Sequence, residues 1–182
     1  NTYVELLSAS KGNGSANFPQ DNDGVIRRAP TAIYFDGADH VYPSLVMSAV
    51  IDILGIKKDG GFDYDFKNNV LNLIDTTDTV VRTIPIDDNG RMYVNYFGKF
   101  QTFYYLPYSY CMDPEMLPPD YWEGKVAFVG ASLPGLMDLR NTPVQETFAG
   151  VEIHANVMHS ILQNDFVLVK DNVSTFYSIL LL

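Results

Sequence analysis

Residues 124–164 read GKVAFVGASLPGLMDLRNTPVQETFAGVEIHANVMHSILQN, and this stretch decides the fold. Residues 126–129 form a short, continuous apolar run, which is typical of a strand buried on both faces. A glycine-rich connection follows, and Gly150 then precedes an apolar-periodic segment that predicts a helix over about 151–163. The order of strand, crossover and helix predicts an α/β fold with a buried parallel strand.

Upstream of this stretch the pattern predicts one helix and several hairpins. Pro43 suits the first position of a helix that runs through an apolar-periodic segment to Gly55. Strand candidates follow at 62–66, 70–74, 80–84 and 91–96, separated by turn residues. The predicted fold class is therefore α/β, with a mixed sheet that contains buried parallel strand(s), antiparallel hairpins and packed helices.

Composition and charge bound the kind of protein this is. The chain has 182 residues, of which 47% are apolar and 19% charged, so we expect one compact domain. The net charge is −10, and Arg27-Arg28 and Lys57-Lys58 are its longest basic clusters. Nucleic acid is not expected as a partner, because a phosphate backbone requires several convergent cations. Cys111 is the single cysteine, which excludes an intrachain disulfide and a cysteine-based zinc site.

Two enzyme motifs and two metal motifs fail on spacing. A P-loop would need Lys and then Ser or Thr after Gly135, and a nucleophile elbow at Ser132 would need Gly where Pro134 stands. Aligning Gly24 with the glycine of a calcium-binding EF-hand places prolines at the first and last ligand positions. His154 and His159 lie about 140° apart around a helix and do not share a face. We therefore predict no catalytic residue, no bound metal and no cofactor.

The start of the second helix is the best candidate for ligand binding. Free backbone amides after Gly150 favour an anion, although Glu152 in the first turn answers the helix dipole itself. Nearby polar side chains could complete such a site, and His154 could contact a ligand or respond to pH. The predicted ligand-binding residues are Arg27, Arg28, Asp138, Arg140 and His154.

The ends of the sequence indicate a segment of a longer protein. Residues 176–182 are almost wholly apolar and follow the pattern of the first turns of a membrane helix. We predict that 171–182 begin a transmembrane helix; the alternative is an ordinary apolar terminal helix.

Several short motifs, in order along the chain, resemble the CHASE2 domain, an extracytoplasmic sensor module of bacterial membrane receptors. They are the DNDGVIRRAP turn and strand at 21–30, YPSL at 42–45, NYFG at 95–98, and the closing motifs between 124 and 156. The motif residues with expected structural roles are Asp23, Gly24, Pro43, Gly98, Gly130, Thr142, Pro143, Gly150, Glu152 and Asn156.

The resemblance implies a domain over residues 1–170 whose preceding strand–helix portion lies ahead of Asn1. It also implies a place outside the cytoplasmic membrane and a cytoplasmic output such as an adenylate or guanylate cyclase, a histidine kinase or another protein kinase. The expected partners are an unknown small-molecule or protein signal, the membrane through a following helix, and a second copy in a homodimer. Two alternatives stay open: an exported α/β hydrolase-like enzyme using Ser132, His154 and Asp138, and a surface-assembly module favoured by the aromatic content.

Overall fold

The computed structural model describes residues 4–34, 41–113, 115–132 and 138–168, so the predicted membrane segment at 171–182 lies outside the described residues. Four helices are present there: α1 (Val4–Ala9), α2 (Leu45–Ile53), α3 (Tyr108–Cys111) and α4 (Gly150–Gln163). Nine strands accompany them: β1 (Arg28–Pro30), β2 (Ala32–Tyr34), β3 (Val41–Pro43), β4 (Phe62–Asp65), β5 (Val70–Ile74), β6 (Val80–Pro85), β7 (Arg91–Tyr93), β8 (Leu139–Arg140) and β9 (Phe148–Ala149).

The two predicted helices form where the sequence places them. Ser44 caps α2, its side chain accepting a hydrogen bond from the Met47 amide at 3.3 Å, and Gly55 with φ +65° follows its end. Pro43 is a correction, because it lies in β3, one residue before the cap, rather than at the first helical position. The α4 helix ends at Asn164 in the left-handed region, with φ 56°.

The sheets are small. Strands β4, β5 and β6 form a three-stranded meander, and β1–β7, β2–β3 and β8–β9 are two-stranded pairs. Every strand pair among the described residues is antiparallel. The mixed α/β character is confirmed. The hairpin that the turn between the strand candidates at 80–84 and 91–96 suggests does not form, because β7 pairs with β1 instead of β6.

The predicted buried strand at 126–129 is also wrong. These residues form no strand, and Val126 and Val129 are 46% and 79% exposed. Phe128 alone of this run packs against the core. A strand requires a neighbour to satisfy its backbone groups, and the apolar pattern identifies the run without identifying that neighbour.

The core lies between α2, α4 and the central strands. Alternate residues of β5, Leu71 and Leu73, are fully buried, and Ile153 and Ile161 of α4 face the same core. This packing fixes α4, whose first turn directly follows β9 of the β8–β9 pair.

Candidate functional site

Strand β9 runs directly into α4, and the first turns of α4 border a cleft of about 400 Å3, here called the α4 cleft. Residues 16–19 and 128–130 supply the facing walls. Three of the five predicted ligand-binding residues, Asp138, Arg140 and His154, line this cleft. Its apolar lining is Phe18, Leu45, Phe128, Val129 and Val151.

Asp138 lies against the first residue of α4. The Gly150 amide donates to the carbonyl oxygen of Asp138 at 2.9 Å. A Cβ atom on Gly150 would lie 2.6 Å from Oδ1 of Asp138, so only glycine leaves room for the carboxylate in this position. Nη2 of Arg140 is 3.2 Å from the same oxygen, and both side chains are partly exposed. This ion pair leaves most of the hydrogen-bonding capacity of both groups available to the cleft.

His154 is the most unusual group of the cleft. It is 8% exposed, and its ring lies 4.4 Å from the ring of Phe18 and 6.3 Å from that of Phe128, measured between centroids. Nδ1 is buried and has no hydrogen-bond partner among the described residues. Burial lowers the pKa of His154, although a hydrogen bond with the Ala16 backbone and the nearby Asp138 carboxylate act in the opposite direction. The imidazole is therefore neutral near pH 7.

Glu152 lies in the first turn of α4, as expected, but is not among the residues that line the cleft. Its carboxylate is buried at 2% exposure and accepts backbone hydrogen bonds from Gln101 and Thr102, each at 2.9 Å. The Phe103 amide donates at 3.4 Å and the Tyr105 hydroxyl at 2.9 Å. Burial and this last bond raise the pKa of Tyr105. We call the set formed by Glu152 and residues 101–105 the Glu152 clamp.

Asn156 extends the same attachment by one helical turn. Its Oδ1 accepts a hydrogen bond from the Phe97 amide at 3.0 Å, and its Nδ2 donates to the Glu152 carbonyl at 2.7 Å. A Cβ atom at Gly98 would collide with the Thr102 side chain, so glycine permits the close path of this loop. The motif residues Glu152, Asn156 and Gly98 thus hold α4 to the loop at 97–105.

Arg27 and Arg28 lie elsewhere, in a shallow charged cleft of about 560 Å3 around the turn at residues 20–23. Three arginines form ion pairs with three aspartates here. Arg27 pairs with Asp21 and Asp23, Arg28 pairs with Asp21 and Asp87, and Arg91 pairs with Asp87. The hydrogen bond with Arg27 lowers the pKa of Asp23 to about 2. These cations are already neutralised, and they do not line the α4 cleft as the sequence analysis expected.

The remaining motif residues support backbone geometry. Gly24 adopts φ +78°, and Asp23 accepts a hydrogen bond from the amide two residues later. Thr142 closes a turn with the residue three positions later, while Pro143 at its corner is exposed. A Cβ atom on Gly130 would lie 2.7 Å from the side chain of Val151, so glycine at this position allows the wall at 128–130 to approach α4.

The structure gives no support to the enzyme alternative. Asp138 and His154 share the α4 cleft, but Ser132 is not among the residues that line it. Among the described residues, His, Cys, Asp and Glu form no group suited to hold a metal ion.

Two important residues escaped the sequence analysis. Arg82 donates to the carbonyl oxygens of Ile161 and Leu162 at 2.7 and 2.9 Å, and so satisfies the C-terminal end of α4. Tyr105 belongs to the clamp. In the sequence, Arg82 is an ordinary arginine in a strand candidate and Tyr105 is one of several aromatic residues in a run. Neither residue therefore indicates its role by its type or position.

The comparisons with known proteins agree with the motif pattern. The family model described as the CHASE2 domain matches residues 2–181. Neither the curated proteins nor the solved structures yield a match. In the part of the chain that the structure describes, no helix has the length and apolar character needed to cross a bilayer.

Proposed function

Since this chain belongs to the CHASE2 family of sensor domains, we propose that it is the extracytoplasmic input domain of a bacterial membrane receptor. A sensor domain binds rather than converts its signal, so the segment itself is not an enzyme. The output that it regulates would be a nucleotide cyclase or a protein kinase in the same polypeptide, reached through a membrane helix that starts within 171–182.

The observation that carries the proposal is the α4 cleft with the unpartnered Nδ1 of His154 in its wall. A buried polar atom without a partner costs free energy, and a bound ligand is one way in which a native protein satisfies it. A ligand that supplies the missing partner stabilises the conformation in which it binds. One wall of the cleft is α4, so occupancy acts on a helix that also packs in the core.

We further propose that α4 and the segment after it carry the signal towards the membrane. Asp165 is held by the Asn95 side chain at 3.1 Å and by its own amide bond to the Ser160 carbonyl at 2.9 Å. Phe166 packs against the core, whereas Leu168 is 69% exposed. A shift of α4 would therefore move the chain that leads out of the domain.

Cys111 offers a direct test of the placement. It is exposed and is the single cysteine of this segment. The intact receptor, expressed in spheroplasts of its host, would be treated with a membrane-impermeant maleimide before and after lysis. We expect labelling of this residue in intact spheroplasts and its loss in Cys111→Ser. Labelling that requires lysis would place the domain in the cytoplasm and refute the proposal.

A second candidate, a self-assembling surface module, is favoured by the segment at 104–129. Its apolar side chains are unusually open, with Tyr104 at 81%, Tyr108 at 61% and Met112 at 68% exposure. Exposed aromatic and methionine side chains are enriched at protein interfaces. Sedimentation equilibrium of the chain without added small molecules distinguishes the two functions: stable higher assemblies favour the module, while a monomer or a dimer fits a receptor input.

A further inference from the structure

The polar groups of the α4 cleft define a specific kind of ligand. The Asp138 carboxylate has one ion pair, with Arg140, and otherwise no side-chain hydrogen bond among the described residues. Arg140 carries five N–H donors and uses its guanidinium in that same pair. Nδ1 of His154 has no partner among the described residues. The Asp138 carboxylate, Nδ1 of His154 and the Arg140 guanidinium therefore all have unused hydrogen-bonding capacity around one cleft.

The role of His154 follows from its protonation. The ring is neutral, so a nitrogen without a partner can serve as an N–H donor or as a lone-pair acceptor, and the bound ligand selects the tautomer. The nearby Asp138 carboxylate favours a positively charged donor in the cleft, and opposite such a donor Nδ1 presents its lone pair.

Access to this nitrogen is linked to a change of conformation. Nδ1 is buried, and the rings of Phe18 and Phe128 both pack near the imidazole. A donor reaches Nδ1 only after a group that covers it has moved. Binding at His154 is thereby coupled to a rearrangement beside the first turns of α4, which is what an input domain requires.

Charge balance favours a ligand that carries both charges. Asp138 and Arg140 contribute −1 and +1, so the cleft is neutral, and its remaining walls are mainly apolar. A simple cation or a simple anion would leave a net charge in a partly desolvated site. A ligand with both charges satisfies both residues.

We infer that the α4 cleft binds a small zwitterion of the amino-acid or short-peptide type. Its ammonium group donates to Asp138 and to Nδ1 of His154, and its carboxylate accepts from Arg140. An apolar substituent packs against Leu45 and Val129, which are 37% and 79% exposed in the structure. The volume of about 400 Å3 falls within the usual range of small-molecule sites, about 300–1,000 Å3. This inference rests on the proposed sensor function.

The test is calorimetric titration of the chain with four matched probes: L-leucine, the dipeptide Leu-Leu, leucinamide and N-acetylleucine. The last two lack the carboxylate and the ammonium group respectively. We expect leucine or Leu-Leu to bind, and leucinamide and N-acetylleucine to bind at least about tenfold more weakly. Preference between leucine and Leu-Leu distinguishes a free amino acid from a peptide terminus. The inference is overturned if leucinamide or N-acetylleucine binds as tightly as the zwitterions, or if neither leucine nor Leu-Leu binds.

Matched variants locate the site. Asp138→Asn and Arg140→Gln should each weaken the zwitterion by about tenfold or more. The control is Arg27→Gln, which removes a similarly exposed guanidinium from its ion pairs with Asp21 and Asp23 outside the cleft and should leave binding unchanged. Equal effects of Arg140→Gln and Arg27→Gln would also overturn the assignment. If no zwitterion binds but Cys111 is labelled from outside the membrane, the ligand class fails while the sensor proposal stands.

Discussion

Replacing Glu152 with Gln should destabilise the fold strongly for a conservative change. The substitution keeps the size of the side chain and removes its charge. Oε1 accepts from the amides of Thr102 and Phe103, and Oε2 accepts from the Gln101 amide and the Tyr105 hydroxyl. In the better orientation the new NH2 group takes the place of Oε2, where the Tyr105 hydroxyl can turn and accept from it, while the Gln101 amide loses its acceptor.

The expected cost follows from these contacts. One charge-assisted hydrogen bond is lost, worth about 1.5–3 kcal/mol, and the remaining bonds become neutral and weaker. Glu152 is 2% exposed, so water cannot easily replace the lost partner. We therefore expect the free energy of unfolding to fall by about 2–4 kcal/mol, which corresponds to roughly 10 °C in melting temperature for a chain of this size.

Urea denaturation followed by circular dichroism measures this difference. The control is Glu146→Gln, which removes the same charge from an exposed position and should change stability by less than about 0.5 kcal/mol. Tyr105→Phe removes one clamp donor and should lie between the two. If Glu152→Gln and Glu146→Gln have equal stability and equal m-values, the buried clamp does not contribute as argued.

Three further predictions concern α4. Gly150→Ala should displace the Asp138 carboxylate, lowering zwitterion affinity at least about tenfold in calorimetry, because its Cβ would lie 2.6 Å from Oδ1; unchanged affinity would contradict the close packing. Because the pKa of His154 is lowered in the folded state, the unfolded chain binds a proton at this residue more readily. The contribution of His154 to the free energy of unfolding is therefore full above about pH 6.5 and is lost as the pH falls towards the folded-state pKa. Thermal melts should show that His154→Gln flattens the slope just below pH 6.5, a window well above that of Asp23, whose pKa of about 2 matters only under acid conditions. Arg82→Met should lower the free energy of unfolding by about 2–4 kcal/mol, because two charge-assisted bonds to the end of α4 are lost; Arg82→Lys should recover only part of this lost free energy, and a melting curve of Arg82→Met that equals the wild type would show that Arg82 does not stabilise the end of α4.

The helices could be predicted from the sequence because their signals are local. Ser44 and Gly55 bracket α2, and Gly150 and Asn164 bracket α4, so the start and end of each helix are set by nearby residues. Strand pairing is not local. The sequence gives no direct sign that β7 pairs with β1, more than 60 positions earlier, and an apolar run at 126–129 does not reveal whether a partner strand exists.

The part of the candidate site that is built from residues close in sequence could also be predicted. Asp138, Arg140 and Gly150 are close along the chain, and the β8–β9 hairpin brings them together, so the closing motif contained most of the cleft. Arg27 was assigned to the site by its charge alone. The sequence could not show that aspartates of its own turn already neutralise it, because ion pairing depends on side-chain geometry and not on proximity in sequence.

The arrangement of α4 indicates how a signal in the cleft would spread. Glu152 and Asn156 are four residues apart and share one face of the helix, while His154 lies about 200° around from Glu152. The cleft and the clamp are therefore on opposite sides of the same two turns. The clamp and the Asn156–Phe97 bond tie α4 to the loop at 97–105 through several buried hydrogen bonds, whereas the contacts on the cleft side are mainly apolar. Apolar contacts allow small sliding movements more readily than directional hydrogen bonds do, so α4 should move together with this loop and relative to the residues across the cleft. A ligand at His154 would then shift a unit that includes the loop at 97–105, and the exposed residues at 107–112 that follow this loop would move as part of the response.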